Sequence, residues 1–364
     1  MNIELGKTYH EGGTVIVPII KKNFKERKYV TLEEAKDKME IKDSGSISKI
    51  EIKSKASGPV FVRSGTMFEG VGTQSRMPTM SIVIMPTENP VPIPVNCIHA
   101  SHPISTGASF RFAGSAPAKV FKMALSSRGN QSATWNSVSA FSNSAYTNTG
   151  TDNLIGTMKT EEFKKSIDEI ISKMPLQEKD QVGIAVLDIS GIVGIEIFDH
   201  PDSWLAVCKD VAKRYAEKTN GHLKETWFTI DENKVKKAIL DLVNELMGSE
   251  QKSAYKDGEA ETISISANGY VGEIVKIGSE MIYLVAVKKE KISERRDIGV
   301  LRGTATGSWI SADTSATTTY YTPAVGTPYQ DLKATSVIDA IGHGVNRWKH
   351  LKNKTDMSTA TLSK

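Results

Sequence analysis

The stretch RSGTMFEGVGTQSRMP, residues 63 to 78, places three glycines, two arginines, a glutamate and a glutamine between two runs typical of β-strands. Glycine lets a backbone adopt positive φ or approach another group closely. Arginine carries a planar guanidinium that suits a carboxylate or a phosphate. Arg63, Glu69, Gln74 and Arg76 are therefore candidate binding residues for an anionic small molecule.

A structural role would explain the same loop. Glu69 would then pair with one of the two arginines, and Gln74 would bond to the loop backbone and hold the turn together. The loop is not a nucleotide-binding P-loop, because it lacks the Gly-Lys-Ser/Thr ending and no helical pattern follows it. The sequence leaves the choice between a binding site and a scaffold open.

A second polar group, Glu196, Asp199 and His200, closes the run GIEIFDH just before a predicted helix. Catalytic groups are common at this place, but so are helix caps, because an Asp or a following Pro can set the first turn. The sequence contains no Gly-x-Ser-x-Gly elbow, no His-Glu-x-x-His helix and no Cys-x-x-Cys pair. Capping is therefore the favoured interpretation.

Cys97, His99 and His102 are candidate metal ligands. Alternation along a strand would place Cys97 and His99 on one face, with His102 and His200 as further ligands. A structural zinc site normally needs four ligands, and no second Cys/His pair occurs at finger-like spacing. The other cysteine, Cys208, also lies in an apolar run, so both thiols are expected to be buried. We predict no metal and no cofactor.

The composition and charge pattern of the chain bear on its partners and its location, although they exclude few functions. The formal net charge of the 364 residues is +4, and charge is mixed along the chain, which does not favour a nucleic-acid partner. No run approaches the roughly 18 apolar residues of a membrane span. The N-terminal MNIELGKTYHEGG also lacks the pattern of a secretory signal. The expected location is cytoplasmic, without nucleic-acid or membrane partners.

Hydrophobic periodicity divides the chain into parts. Short β-branched runs, TVIVPII, SKIEIKS, PVFVRSG and SIVIMP, predict a sheet-rich part over residues 1–130, with a short helix at 31–40. A Ser/Asn/Thr-rich stretch from residue 132 to 154 is interpreted as a separator. Residues 150–292 are predicted to hold helices at 160–174, after Pro201 and at 231–247, with strands between and after them. The predicted class is α+β, mostly antiparallel, with the helices segregated in the middle.

Four segments in this order resemble the ARPP family, the ARG and rhodanese-phosphatase-superfamily-associated protein domain. They are GPVFVRSGTMFEGVGTQSR, VPIPVNCIHA, QSATWNSV and DQVGIAVLDISGIVGIEIFDHPDSW, within roughly residues 10 to 290. The sequence departs from the family where an acidic residue and Gly-Arg-Trp usually follow the strand at Pro94, because it has His99, Ala100 and Ser101. The resemblance implies that residues 1–292 form an ARPP-like α+β domain of a prokaryotic protein. It implies no established activity.

The tail, residues 293–364, is predicted to be a separate arm. Its first part is rich in Ser, Thr and Gly and should be extended or disordered in isolation. The segment DLKATSVIDAIGHGVNRWKHLKNK then predicts an amphipathic helix. The residues expected to contact another subunit are Trp309, Tyr320, Tyr321, Ile338, Ile341, Val345 and Trp348.

Two functions follow from these patterns. The first is a self-assembling, homo-oligomeric or partner-binding protein whose arm docks on a neighbouring subunit. The alternative is a hydrolase or binding protein for a phosphate-containing or nucleotide-derived small molecule, acting through the glycine-rich loop. An enzyme should gather the loop side chains in a concave pocket, whereas an assembly protein should bury them in pairs or at an interface.

Overall fold

The structure, a computed structural model, describes residues 2–11, 14–100, 102–144, 153–188, 190–216 and 231–289, and the backbone of 301–302, 309–312 and 319–322. The chain divides into two units, Met1–Glu290 and Lys291–Lys364. The domain boundary placed after residue 292 from the sequence stays a prediction. No helix of the described residues is long and apolar enough to cross a membrane.

The first unit is built mainly from antiparallel strands. Its strands are β1 (Glu4–Leu5), β2 (Tyr9–Glu11), β3 (Thr14–Ile20), β4 (Val30–Thr31), β5 (Met39–Ser46), β6 (Lys49–Ser54), β7 (Val60–Val62), β8 (Thr66–Gly70), β9 (Arg76–Pro78), β10 (Ile82–Ile84), β11 (Val91–Cys97), β12 (Phe110–Ser115), β13 (Gln181–Asp188), β14 (Gly191–Phe198), β15 (Gln251–Asp257), β16 (Ala260–Ala267), β17 (Tyr270–Ile277) and β18 (Glu280–Lys288). Its helices are α1 (Leu32–Ala35), α2 (Ala118–Ser126), α3 (Gln131–Ser144), α4 (Leu154–Met158), α5 (Glu161–Ile171), α6 (Pro201–Tyr215) and α7 (Glu232–Gly248). The α+β, sheet-rich class predicted from the sequence is confirmed.

The larger sheet has the order β1-β3-β13-β14-β18-β17-β16-β15, and β2 pairs with β3. Both faces are covered. On one face Ile184 and Val186 of β13 share a core with α6, and on the other Ala185 and Leu187 share a core with α7. Alternate residues of one strand thus serve two cores, because successive side chains point to opposite faces.

Two smaller sheets form the rest of the sheet-rich part. One has the order β12-β8-β9-β11-β6-β5, and its outer strands approach each other through a bridge between Lys42 and Ser109. The other has the order β10-β7-β4, with β4 parallel to β7. Ile50, Phe68 and Val62 belong to the core that the two sheets share. The loop at residue 63 follows β7 and leads directly into β8, so it lies where the sheets meet.

The structure differs from the predictions at two places. The helix predicted for 31–40 is limited to α1 and a 3-10 turn, Lys36–Lys38, and Met39 already begins β5. The predicted separator from residue 132 contains most of α3. Asn130 Oδ1 accepts a hydrogen bond from Ala133 N at 3.0 Å, and Thr134, Val138 and Phe141 are buried at helical spacing. Tertiary packing of this face outweighs the weak helix propensity of Ser, Asn and Thr.

The second unit contains a small antiparallel sheet of β19 (Leu301–Arg302), β20 (Trp309–Ala312) and β21 (Thr319–Thr322). Leu301 pairs with Ile310, which pairs with Tyr321. Trp309 and Tyr320 are therefore strand residues rather than part of a strand-free arm. Ile338, Ile341, Val345 and Trp348, and the helix predicted around them, lie outside the described residues.

Candidate functional site

The centre of the polar arrangement is a pair of arginines around one carboxylate. Arg63 Nη1 donates to Glu196 Oε1 at 3.2 Å, and Arg214 Nη1 donates to both carboxylate oxygens of Glu196 at 3.2 Å. All three side chains are fully buried. Arg63 comes from the loop after β7, Glu196 from β14 and Arg214 from the end of α6, so the cluster joins three elements.

Further groups bond to these side chains. Arg63 Nη2 donates to Glu33 Oε1 at 2.7 Å and to Ser115 Oγ at 3.1 Å, and the Tyr283 hydroxyl donates to Glu196 Oε1. Burial alone lowers the pKa of Arg63, but the Glu33 and Glu196 carboxylates outweigh it and raise the pKa above its ordinary value. Burial first and the Glu196 charge second raise the pKa of Tyr283. Arg63 therefore stays charged and Tyr283 neutral.

A second carboxylate extends this network. Glu273 Oε2 accepts hydrogen bonds from Ser64 Oγ at 2.8 Å and from Ser81 N at 3.0 Å. Its Oε1 accepts from Arg128 Nη2 at 2.9 Å. The backbone carbonyl of Ser64 accepts from Arg214 Nη2 at 3.0 Å, which connects Glu273 to the first cluster. We call this whole set of side chains, centred on Glu196 and Glu273, the buried network.

Arg76 belongs to a separate cluster. Its Nη1 donates to the carbonyl and the side-chain oxygen of Gln74 at 2.9 and 3.2 Å, and its Nη2 donates to Asp43 Oδ2 at 3.5 Å. Thr73 Oγ1 donates to the same Asp43 oxygen at 2.5 Å. Arg76 and Asp43 are fully buried. These bonds fix the loop between β8 and β9 onto β5.

Glu69 lies apart from both clusters. Its carboxylate pairs with the Lys159 ammonium at 2.5 Å, and both side chains are partly exposed. The structure therefore brings Arg63 together with Glu196 and Arg76 together with Gln74, but it does not gather the four loop side chains at one point. The pairing of Glu69 is with a lysine of another segment and not with either arginine.

The family model of the ARG and Rhodanese-Phosphatase-superfamily-associated Protein domain, ARPP-1, matches residues 2–287. The chain belongs to the ARPP-1 family. No curated protein and no solved structure matches it at a significant level. The resemblance expected from the four sequence segments is thereby confirmed.

The remaining predicted polar residues of this ARPP-1 domain, Asp199 and His200, follow directly after β14. Asp199 Oδ1 accepts from the Tyr29 hydroxyl at 2.7 Å, and the Asp199 carbonyl accepts from Lys21 Nζ at 3.0 Å. His200 Nδ1 accepts from Asp202 N at 3.1 Å and so caps α6. Burial raises the pKa of the Asp199 carboxyl above its ordinary value. These contacts hold the start of α6 in place.

The candidate metal ligands are engaged in other bonds. Cys97 Sγ donates to Gln74 Oε1 at 3.2 Å and to the His99 carbonyl at 3.1 Å. The rings of His99 and His102 are 5.1 Å apart between centroids. Within the described part of the chain, no three His, Cys, Asp or Glu side chains are grouped so that they could hold a metal ion. The expectation of a metal-free ARPP-1 protein stays a prediction.

Sequence reasoning missed several members of both clusters. Arg214, Glu33, Glu273 and Asp43 are buried or nearly buried charged residues of the ARPP-1 domain. Arg214 follows the apolar stripe of α6 at Val211, which places it on or beside the buried face of the helix. A charge at such a position is a usable signal, because buried charges are rare unless paired. Glu273 interrupts the apolar alternation of its strand in the same way.

Proposed function

We propose that this ARPP-1 protein is a non-catalytic, self-associating protein whose second unit packs on another copy of the chain. The observation that carries the proposal is the small sheet of that unit. Its strands have only two, four and four residues. Sheets this small need an apolar face packed against something else to be stable.

The pairing register supplies such a face. Leu301, Ile310 and Tyr321 occupy one row across the three strands, and residues in one cross-strand row share a face of a sheet. Ordering each residue costs about 1–2 kcal/mol of backbone entropy, and three apolar residues offset little of this by themselves. Packing of this row on a second copy would bury it. The outer strands β19 and β21 also offer edges for strand addition.

The two buried clusters weigh against catalysis at the glycine-rich loop, because they bind both of its arginines inside the fold. Arg63 and Arg76 have fully buried side chains and bond to carboxylates of their own chain. Breaking such bonds to admit a substrate would leave an unpaired buried charge. The alternative of a hydrolase acting through the glycine-rich loop therefore has no geometric support in the described residues.

The test is the mass of the full chain in solution, measured by light scattering over a range of protein concentrations. We expect an oligomer for the wild type and a smaller particle for Ile310→Asp, because a charge in the apolar row opposes burial. Ser253→Asp is the control, since it adds the same charge at an exposed strand position of the first unit. A monomeric wild type, or equal masses for all three proteins, would overturn the proposal.

A further inference from the structure

A cleft of about 280 Å³ lies between the loop at residues 27–30, the end of α1 and the bend at residues 56–59. Its walls carry Arg27, Lys28 and Lys38, together with the single carboxylate of Glu34. We propose that this cleft binds a phosphate group, either as the free ion or as a small phosphomonoester. The site is distinct from both buried clusters, and the proposal does not rest on the proposed self-association.

Arg27 gives the cleft a fixed cationic wall. Its Nη1 and Nη2 donate to the two Glu34 oxygens at 2.9 and 2.8 Å. Glu34 is itself held, because its Oε2 accepts from Thr31 N at 2.8 Å at the start of α1. The Arg27 side chain is only 17% exposed and its guanidinium lies 6.0 Å from the Tyr29 ring centre. Because Glu34 already accepts from both terminal nitrogens, Arg27 gives this wall a fixed shape, and the net positive charge of the cleft comes from Lys28 and Lys38.

The two lysines are available for a ligand. Lys28 Nζ is 3.5 Å from a Glu280 oxygen and its side chain is 61% exposed, so this contact is weak. Lys38 has no carboxylate within ion-pair distance among the described residues. Three cations and one carboxylate leave the cleft with a formal charge of +2. A phosphate group carries about −1.5 to −2 at neutral pH and matches this charge.

The surroundings strengthen the positive field. The loop KKNFKERK, residues 21 to 28, adds three further cations, Lys21, Lys22 and Lys25, to Arg27 and Lys28 of the cleft. Lys22 and Lys25 of this loop are highly exposed and pair only with partly or fully exposed glutamates. Cations around a concave site raise the local concentration of an anion and its association rate. A carboxylate ligand would gain less, because it carries only one charge.

The size of the cleft limits the ligand. Small-molecule sites usually span about 300–1,000 Å³, so this cleft suits a phosphate with at most a short organic group. Gly58 forms part of the wall, and a Cβ built on it meets no atom within 4 Å. The wall therefore has room for a larger side chain at this position without a clash at its Cβ atom.

The experiment is calorimetric titration of the full-length protein with inorganic phosphate and with glycerol 3-phosphate, with chloride at the same ionic strength as reference. Lys38→Glu should weaken phosphate binding about tenfold or more, the effect expected for losing one charge-assisted contact. Gly58→Leu should weaken it as well, by occupying space. Lys36→Glu is the control, because it changes the charge by the same amount. Lys36 is exposed and does not line the cleft.

The outcomes separate the possibilities. Binding of both ligands, lost in Lys38→Glu and Gly58→Leu but kept in Lys36→Glu, supports a phosphomonoester site. Binding of the inorganic ion alone supports a site for the free ion. Phosphate binding no tighter than chloride overturns the proposal. Equal weakening by Lys36→Glu and Lys38→Glu also overturns it, since it indicates screening of a diffuse surface charge. Circular dichroism of each variant checks that it is folded.

Discussion

Arg63 and Glu196 are 133 residues apart in the sequence and form an ion pair of 3.2 Å with no exposure of either side chain. Arg63 follows the small sheet at β7, whereas Glu196 lies in the middle of the large sheet at β14. The pair therefore ties together two sheets that share no strand. Glu33 pairs with Arg63, and Arg214 pairs with Glu196. These four side chains therefore carry no net formal charge.

Removing the Glu196 charge should destabilise the protein strongly. Glu196→Gln keeps the shape of the side chain but leaves two buried arginines without their shared carboxylate. Loss of one partner of a buried ion pair costs about 3–5 kcal/mol of unfolding free energy. Urea denaturation followed by circular dichroism measures this quantity. The control is Glu69→Gln, the same substitution at a partly exposed pair, which should cost less than about 1 kcal/mol. Similar losses for both variants would contradict the structural role of the network.

Two glycine substitutions should act in opposite directions. A Cβ on Gly183 would lie 2.0 Å from the Glu196 carbonyl oxygen, so Gly183→Ala must displace backbone of the central strands. We expect a loss of at least about 1–3 kcal/mol. Gly248 ends α7 and has open space around its Cβ position. Gly248→Ala should stabilise the protein by up to about 1 kcal/mol, because alanine favours the helix. Thermal unfolding compares the two, and a tolerated Gly183→Ala would refute the close strand packing.

The pKa of Asp199 predicts a pH dependence of stability. Burial raises this pKa in the folded protein above the ordinary value of 3.8, so the folded state binds the proton more tightly than the unfolded state. The resulting stabilisation is complete below pH 3.8 and is lost as the pH rises through the folded pKa. Asp199→Asn removes this term. The unfolding free energy of the variant, relative to that of the wild type, should therefore increase as the pH rises from about 3 to 6. A difference that stays constant with pH would contradict the raised pKa.

Both thiols should be unreactive in the folded protein. Cys97 and Cys208 are buried, and burial raises the pKa of each thiol. A thiol reagent reacts with the thiolate, so its reaction should be slow before unfolding and should reach two groups per chain in denaturant. Fast labelling of the native protein would show that one of these side chains is accessible. Labelling of the Cys97→Ser and Cys208→Ser variants separately identifies the accessible thiol.

The elements that could be predicted are those with a local apolar period. The run TVIVPII became β3, and the stripe Trp204, Cys208, Val211 and Tyr215 became the buried face of α6. Thr160 is the N-cap residue of α5, but its hydroxyl donates to the Thr157 carbonyl at 3.0 Å and does not cap the helix. For β3 and α6 the pattern within a few residues of chain decides which face is apolar, and the sequence contains that pattern in full.

The elements that were missed depend on contacts with distant residues. α3 is rich in Ser, Asn and Thr, and its buried Thr134 accepts a hydrogen bond from Asn96 Nδ2 at 2.6 Å. The basic loop at residues 21–28 was also missed, because charge was judged along the whole chain. The fold places Arg27 and Lys28 of this loop beside Lys38 and the bend at Gly58.

The sequence by itself determined the class of the fold, the family and the polar residue types available for a site. Only the tertiary structure decided which of them meet. Arg63 and Arg76 come from one short glycine-rich segment of the sequence, yet Arg63 bonds to Glu196 and Arg76 to Asp43. A buried charge must find its counter-charge wherever sheet pairing and helix packing place one, and these partners come from residues 30 to 133 positions away. Such distances carry no local signal, so the chemistry of these residues follows from the fold.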